Sequence, residues 1–169
     1  ARQAGLKDTI FDAVERRNDQ QQLVLVEKIT AQFGDDLEGK TFALWGLAFK
    51  ANTDDIREAP AVDIIKALSD EGMQIQAFDP IAGENARQQL AANSKVKIME
   101  EQYAALENAD ALAVVTDWNQ FRNPDFGRIK KMLRAPIIFD GRNLYSFAII
   151  ASQGFAYFSI GRPQIRNDR

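Results

Sequence analysis

Short apolar runs, each set between segments of helical periodicity, constrain this chain more than any other feature. Ala111 to Val115 carries no polar side chain at all, and Thr41 to Leu47, Gln74 to Phe78, Val96 to Ile98, Pro136 to Phe139 and Gly154 to Ile160 are similarly short. A strand with one wet face alternates apolar and polar residues, whereas a uniformly apolar strand is buried on both faces. Helices between such strands give βα units, a parallel sheet and right-handed crossovers.

The segments between the strands fit that scheme. Leu6 to about Phe33 reads as helix, in one piece or two, with Leu23, Val26, Ile29 and Phe33 on one apolar face. The polar run Glu15 to Gln22 is either a solvated face or a bridging helix whose second face meets another subunit or domain. Gly34 is the expected stop, and Gly34 to Gly39 is the one candidate boundary. Pro60 is pre-set for a first helical turn, followed by Val62, Ile65 and Leu68 on one face and Gly72 at the end. Gly83 to Asn93, Asp125 to Leu133 and Leu144 to Gln153 read as helices and Tyr103 to Asn108 as a helical turn. Thr116 to Pro124 reads as a loop, and Gly161 to Arg169 as a loose polar tail. The expected fold is α/β: a Rossmann-like, doubly wound, mostly parallel sheet of about six strands with helices on both faces, preceded by an N-terminal helix.

Composition narrows the function. The 169 residues suffice for one domain with some extra, and a net charge of -3 gives no bulk reason to expect nucleic acid, so any anion site is local. No apolar run approaches the roughly 20 residues that span a bilayer, and no signal peptide is evident. The sequence starts inside a helical pattern, as a piece of a longer protein does. Cys is 0 and His is 0, which removes disulfides, thiolate nucleophiles, Cys or His metal ligands and imidazole acid–base chemistry. Cys absence fits a reducing compartment such as the cytoplasm. No metal site and no catalytic residue is expected in this chain.

In doubly wound sheets the ligand lies outside the C-terminal strand ends. Those ends are Gly46 to Arg57, Asp79 to Gly83, Thr116 to Pro124 and Asp140 to Asn143, where polar and glycine residues gather. The first turn departs from G-x-G-x-x-G: Gly46 fits, but Ala48 and Ala51 occupy the other two positions. Lys50 is either an exposed lysine or, with Arg142 from another strand end, half of a diphosphate clamp. Asp54 and Asp55 pair with Arg57 or cap the next helix. Asp79 is placed for a ribose hydroxyl or for an Asx-type turn before Pro80. Trp118 and Phe121 read as core first and base-stacking second, and Asp140 as a loop-fixing carboxylate.

Gly46-Leu-Ala-Phe-Lys50, Thr53-Asp-Asp-Ile-Arg-Glu-Ala-Pro60, Phe78-Asp-Pro80, Asp110-Ala-Leu, Thr116-Asp-Trp118, Phe121-Arg122, Ile138-Phe-Asp-Gly-Arg-Asn143 and Gly154-Phe-Ala-Tyr-Phe-Ser-Ile-Gly-Arg162 follow in order. Together they closely resemble the C-terminal UDP-binding domain of the UDP-glucose/GDP-mannose dehydrogenase family, from about Leu37 to Arg162. The Phe-Asp-Gly-Arg-Asn run is similar to the UDP-glucose branch. Ala51, often proline in the family, and Asp117, often glutamate, are mild departures. The resemblance implies two regions: 1–36, the end of a central dimerisation helix region, and 37–169, a UDP-sugar-binding domain. It implies that Phe49, Lys50 and Arg142 contact the UDP-sugar, and that Arg57 reaches NAD bound mainly by an N-terminal domain. The implied partners are UDP-glucose or UDP, that N-terminal domain, and further copies of the enzyme in a homodimer or higher oligomer. The implied reaction oxidises UDP-glucose twice, to UDP-glucuronate, through a thiohemiacetal on a cysteine upstream of these residues. A dehydrogenase for UDP-N-acetyl-mannosamine or another nucleotide sugar, and a non-catalytic nucleotide-binding or assembly module, are the alternatives.

Overall fold

The computed structural model describes residues 23–34 and 37–166. The expected helix before residue 23 and the last three residues of the tail lie outside the described residues. Six strands form one sheet: β1 Thr41–Trp45, β2 Gln74–Phe78, β3 Val96–Ile98, β4 Ala111–Val114, β5 Ile137–Asp140 and β6 Ala156–Ser159. Their order is β3-β2-β1-β4-β5-β6 and every pairing is parallel, so this is a Rossmann-like doubly wound sheet. The winding reverses between β1 and β4.

Both faces are covered, as uniformly apolar strands require. On one face Phe42 and Phe139 lie 5.7 Å apart, and Phe33 of the first helix (α1, residues 23–33) meets them at 6.0 and 6.4 Å. Leu25 and Ile29 of α1 are buried with them. Trp45 points to the other face, stacked on Phe121 at 5.3 Å and edge-on to Tyr103. Trp118 and Phe121 are core residues, as the first of their two readings held. The remaining helices are α2 Pro60–Asp70, α3 Gly83–Gln89, α4 Asn119–Arg122, α5 Phe126–Met132 and α6 Phe147–Gln153, with a 3-10 turn at Ala104–Leu106. Among the described residues no helix is long and apolar enough to cross a membrane.

Several boundaries differ from the sequence reading. The segment Thr116 to Pro124 contains the four-residue helix α4, and α3 stops short of Asn93. The tail is not loose where it is described: Ile165 exchanges two backbone hydrogen bonds with Tyr157, at 2.9 and 3.0 Å, and covers the outer edge of β6.

The strand register sets up the site. Trp45 pairs with Phe78 and with Val114, and Val114 pairs with Asp140, so β1, β2, β4 and β5 end level. Four loops leave the sheet along one rim. At Gly46 the backbone has φ +97°, and a Cβ there would lie 2.5 Å from Thr116 Cβ and 2.6 Å from its amide nitrogen. Glycine is needed here because the β4 exit crowds the β1 exit. Gly34 (φ +61°), which faces open space, is the control. Gly34→Ala is expected to cost about 1–2 kcal/mol for a left-handed L-residue, and Gly46→Ala clearly more, as read from urea midpoints. Equal costs would contradict the crowding.

Candidate functional site

The rim is built from the two carboxylates that follow β2 and end β5. Asp140, the last residue of β5, is fully buried. Its Oδ1 accepts the Arg142 amide at 2.9 Å, and its Oδ2 accepts the Tyr145 amide at 3.1 Å and the Tyr157 hydroxyl at 2.7 Å. It is the loop-fixing carboxylate that the sequence suggested, and it shapes the turn that carries Arg142. Burial, then the nearby Asp140 charge, pushes the Tyr157 phenol well above its ordinary range, so it stays a donor.

Asp79 follows β2 and turns inward. Its Oδ2 accepts the amides of Leu47 and Ala48 at 2.7 and 3.1 Å and the Trp118 indole at 3.0 Å, and its Oδ1 accepts the amides of Ile81 and Ala82 at 3.0 and 2.8 Å. This is the Asx-type turn of the two sequence readings, extended by a bond to the β1 turn. The ribose-holding reading is overturned, because the carboxylate is saturated by its own chain. With Ala48 in place of a second glycine and the turn amides already bonded, the crevice at β1 does not fit a dinucleotide.

Arg142 spans the gap between β5 and β1. Its Nε donates to the Val115 carbonyl at 2.6 Å, and one terminal nitrogen donates to the Phe49 carbonyl at 3.1 Å. Phe49 is 48% exposed, unusual for a phenylalanine, and its backbone is tied down by its amide bond to the Asp55 carbonyl at 2.8 Å. Lys50 follows at the surface, and among the described residues nothing pairs with its ammonium. The structure therefore brings Phe49, Lys50 and Arg142 to one point of the rim. Guanidinium has five N–H donors; two serve the carbonyls and three remain on an exposed side chain, with Lys50, also exposed, next in the chain to Phe49, a cationic rim suited to a polyanion.

Arg57 lies elsewhere. Its side chain is 86% exposed and forks onto Asp55, with bonds of 2.9 and 2.8 Å. Those bonds hold the Asp55 carboxyl down at about 2. Arg57 lines an open polar groove of about 770 Å³ with Thr53, Asp54, Asn85 and Gln88, apart from the Lys50–Arg142 point. Sequence reasoning missed three contributors to the rim: the Val115 carbonyl, Thr116 Oγ1, which donates to the Ala48 carbonyl at 2.7 Å, and the inward turn of Asp79. Each depends on which strands are neighbours, which no local pattern reveals.

The fold and rim define a doubly wound domain that gathers cations at its strand ends instead of a glycine-rich phosphate loop. Comparison with known proteins gives the family. Residues 43–147 match the UDP binding domain of the UDP-glucose/GDP-mannose dehydrogenase family, and the chain belongs to that family. It is 46% identical over 167 residues to a UDP-glucose 6-dehydrogenase of Pseudomonas aeruginosa, covering 97% of this chain and 37% of that protein. A Bacillus subtilis UDP-glucose 6-dehydrogenase is 39% identical over 166 residues, covering 98% of this chain and 35% of that protein. Among solved structures, a UDP-glucose dehydrogenase from Pyrobaculum islandicum superposes with TM-score 0.74 at 30% identity, over 93% of this chain and 33% of that one. The chain thus spans little more than a third of the length of the curated relatives it matches.

Tyr157→Phe removes a donor from buried Asp140 and is expected to cost about 1–3 kcal/mol in urea unfolding at neutral pH. A phenol whose folded ionisation is raised contributes fully below pH about 10 and progressively loses that contribution above it. The wild type should therefore lose stability more steeply than Tyr157→Phe as pH rises past 10. Parallel slopes would contradict the assignment.

Proposed function

We propose that residues 37–169 are the C-terminal UDP-sugar-binding domain of an NAD-dependent UDP-glucose 6-dehydrogenase. Residues 1–36 are then the end of a central helical region through which the full-length enzyme forms a homodimer or higher oligomer. Phe49, Lys50 and Arg142 contact the UDP-sugar, with Lys50 and Arg142 on the diphosphate. Arg57 reaches NAD held mainly by an N-terminal domain, an assignment supported by its place on a groove of its own and by a β1 crevice that does not fit a dinucleotide. The full-length enzyme, working in the cytoplasm, oxidises UDP-glucose to UDP-glucuronate. This chain, with Cys 0, supplies no thiol for a covalent intermediate and is inactive alone.

The observation that carries this reading is the Arg142 bridge to the Phe49 carbonyl, which brings a guanidinium to the residue that precedes Lys50 in the chain. A guanidinium already held by two backbone carbonyls loses little side-chain freedom on binding, so more of its attraction to a diphosphate is realised as affinity. The names of the Pseudomonas and Bacillus relatives support UDP-glucose over another nucleotide sugar.

Calorimetric titration of the chain with UDP, UDP-glucose and GDP-mannose tests the reading. UDP and UDP-glucose are expected to bind and GDP-mannose to bind more weakly, and Lys50→Ala or Arg142→Ala to cost about 2–5 kcal/mol each. UDP affinity unchanged in both variants would contradict it, as would a failure of UDP to bind at all.

A further inference from the structure

We propose that Asp79 is a positioning residue, an internal carboxylate that takes the anion's place at the β1 turn and thereby fixes Phe49 and Lys50 for UDP. The effect on UDP rests on the reading above; the internal anion stands on geometry alone. In dinucleotide-binding domains of this topology, the first-turn amides receive a pyrophosphate and an acid after β2 takes a ribose hydroxyl. Here the acid after β2 bonds directly to the first-turn amides. One carboxylate offers about four lone-pair sites, and five donors converge on Asp79: four amides and the Trp118 indole. The residue is 5% exposed, and among the described residues no lysine or arginine bonds to it. Charge-assisted bonds from fixed dipoles are what hold a buried anion of this kind.

The consequence reaches the site through four consecutive peptide groups. Asp79 fixes the amides of Leu47 and Ala48. Thr116 Oγ1 fixes the Ala48 carbonyl at 2.7 Å, and the Asp55 carbonyl takes the Phe49 amide at 2.8 Å. The Phe49 carbonyl is then left in place to receive Arg142. Without the carboxylate, two buried amides lose their acceptor and the turn must rotate to find water. Asp79→Asn is nearly isosteric, but its NH2 group must face either the two amides and the indole or the amides of Ile81 and Ala82. Donor meets donor in both orientations.

The test compares Asp79→Asn, Trp118→Phe and, as a destabilised control away from the rim, Leu68→Ala in the core face of α2. Two readouts apply to the whole chain: UDP affinity by calorimetry, and amide hydrogen exchange by NMR. Asp79→Asn is expected to weaken UDP at least tenfold and to speed exchange at Leu47, Ala48 and Phe49 at least tenfold, with Ala43 and Leu112 unchanged. Trp118→Phe, which removes one donor and no acceptor, is expected to weaken UDP by less than Asp79→Asn and keeps the test alive if that variant does not fold. Leu68→Ala is expected to keep UDP affinity within twofold despite its lower stability. Wild-type affinity in folded Asp79→Asn would overturn the positioning role, as would a loss of affinity in Leu68→Ala that matches its loss of stability. Unchanged exchange at Leu47 and Ala48 would overturn the internal anion. Failure of the wild type to bind UDP would count against the UDP reading instead, and the exchange rates alone would then decide for or against the internal anion.

Discussion

The Arg142 guanidinium joins two strand ends whose residues are 93 positions apart in the chain, and the geometry of the rim depends on that join. An arginine at a strand end normally extends into solvent and loses entropy when a ligand immobilises it. Here the backbone carbonyls of Val115 and Phe49 hold it, and buried Asp140 holds the amide of the same residue. The result is a cation fixed from both ends, with donors left over.

That fixation follows from the sheet. Strands buried on both faces hold no charge between their layers, so polar groups collect at the strand ends, and carboxylates manage both rims. Asp110 precedes β4 at the opposite rim, where it accepts the Thr41 amide at 2.8 Å and meets Arg134 at 3.4 Å. Asp79 and Asp140 work at the C-terminal rim. Each is nearly or fully buried, and each is satisfied by amides together with an indole or a hydroxyl, with no cation bonded to it among the described residues. An amide cannot dissociate or exchange partners with salt as a lysine can, so loops tied this way keep their shape as ionic strength changes.

Much of this was legible in the sequence. The central strands were readable because burial on both faces leaves charge-poor runs of a few residues, as in Ala111–Val114, and the residue pairs that mark strand ends, Asp79-Pro80 and Asp140-Gly141, are turn-formers. Trp118 and Phe121 were readable as core by their size. α4 was not, because four residues give no periodicity to detect and Pro124 suggests a loop. Nor was the anchoring of Ile165, since one antiparallel bridge to an edge strand leaves no local pattern. At the rim, the sequence offered Arg142 as half of a diphosphate clamp. In the structure two of its donors go to carbonyls, because β4 lies between β1 and β5 and places the Val115 carbonyl beneath the guanidinium. The inward turn of Asp79 was hidden for the same reason: it needs β2 beside β1, a fact of topology and not of composition.

The central claim is that the strand-end cations form one anion site on this domain, separate from the groove that holds Arg57. An ¹⁵N–¹H NMR titration with UDP tests it most directly, since every amide reports its own environment. The account predicts that the largest saturable shifts fall at Phe49, Lys50, Gly141 and Arg142, with Asn85 and Gln88 of the groove little changed. Shifts centred on the groove, or spread over the surface without saturation, would contradict it.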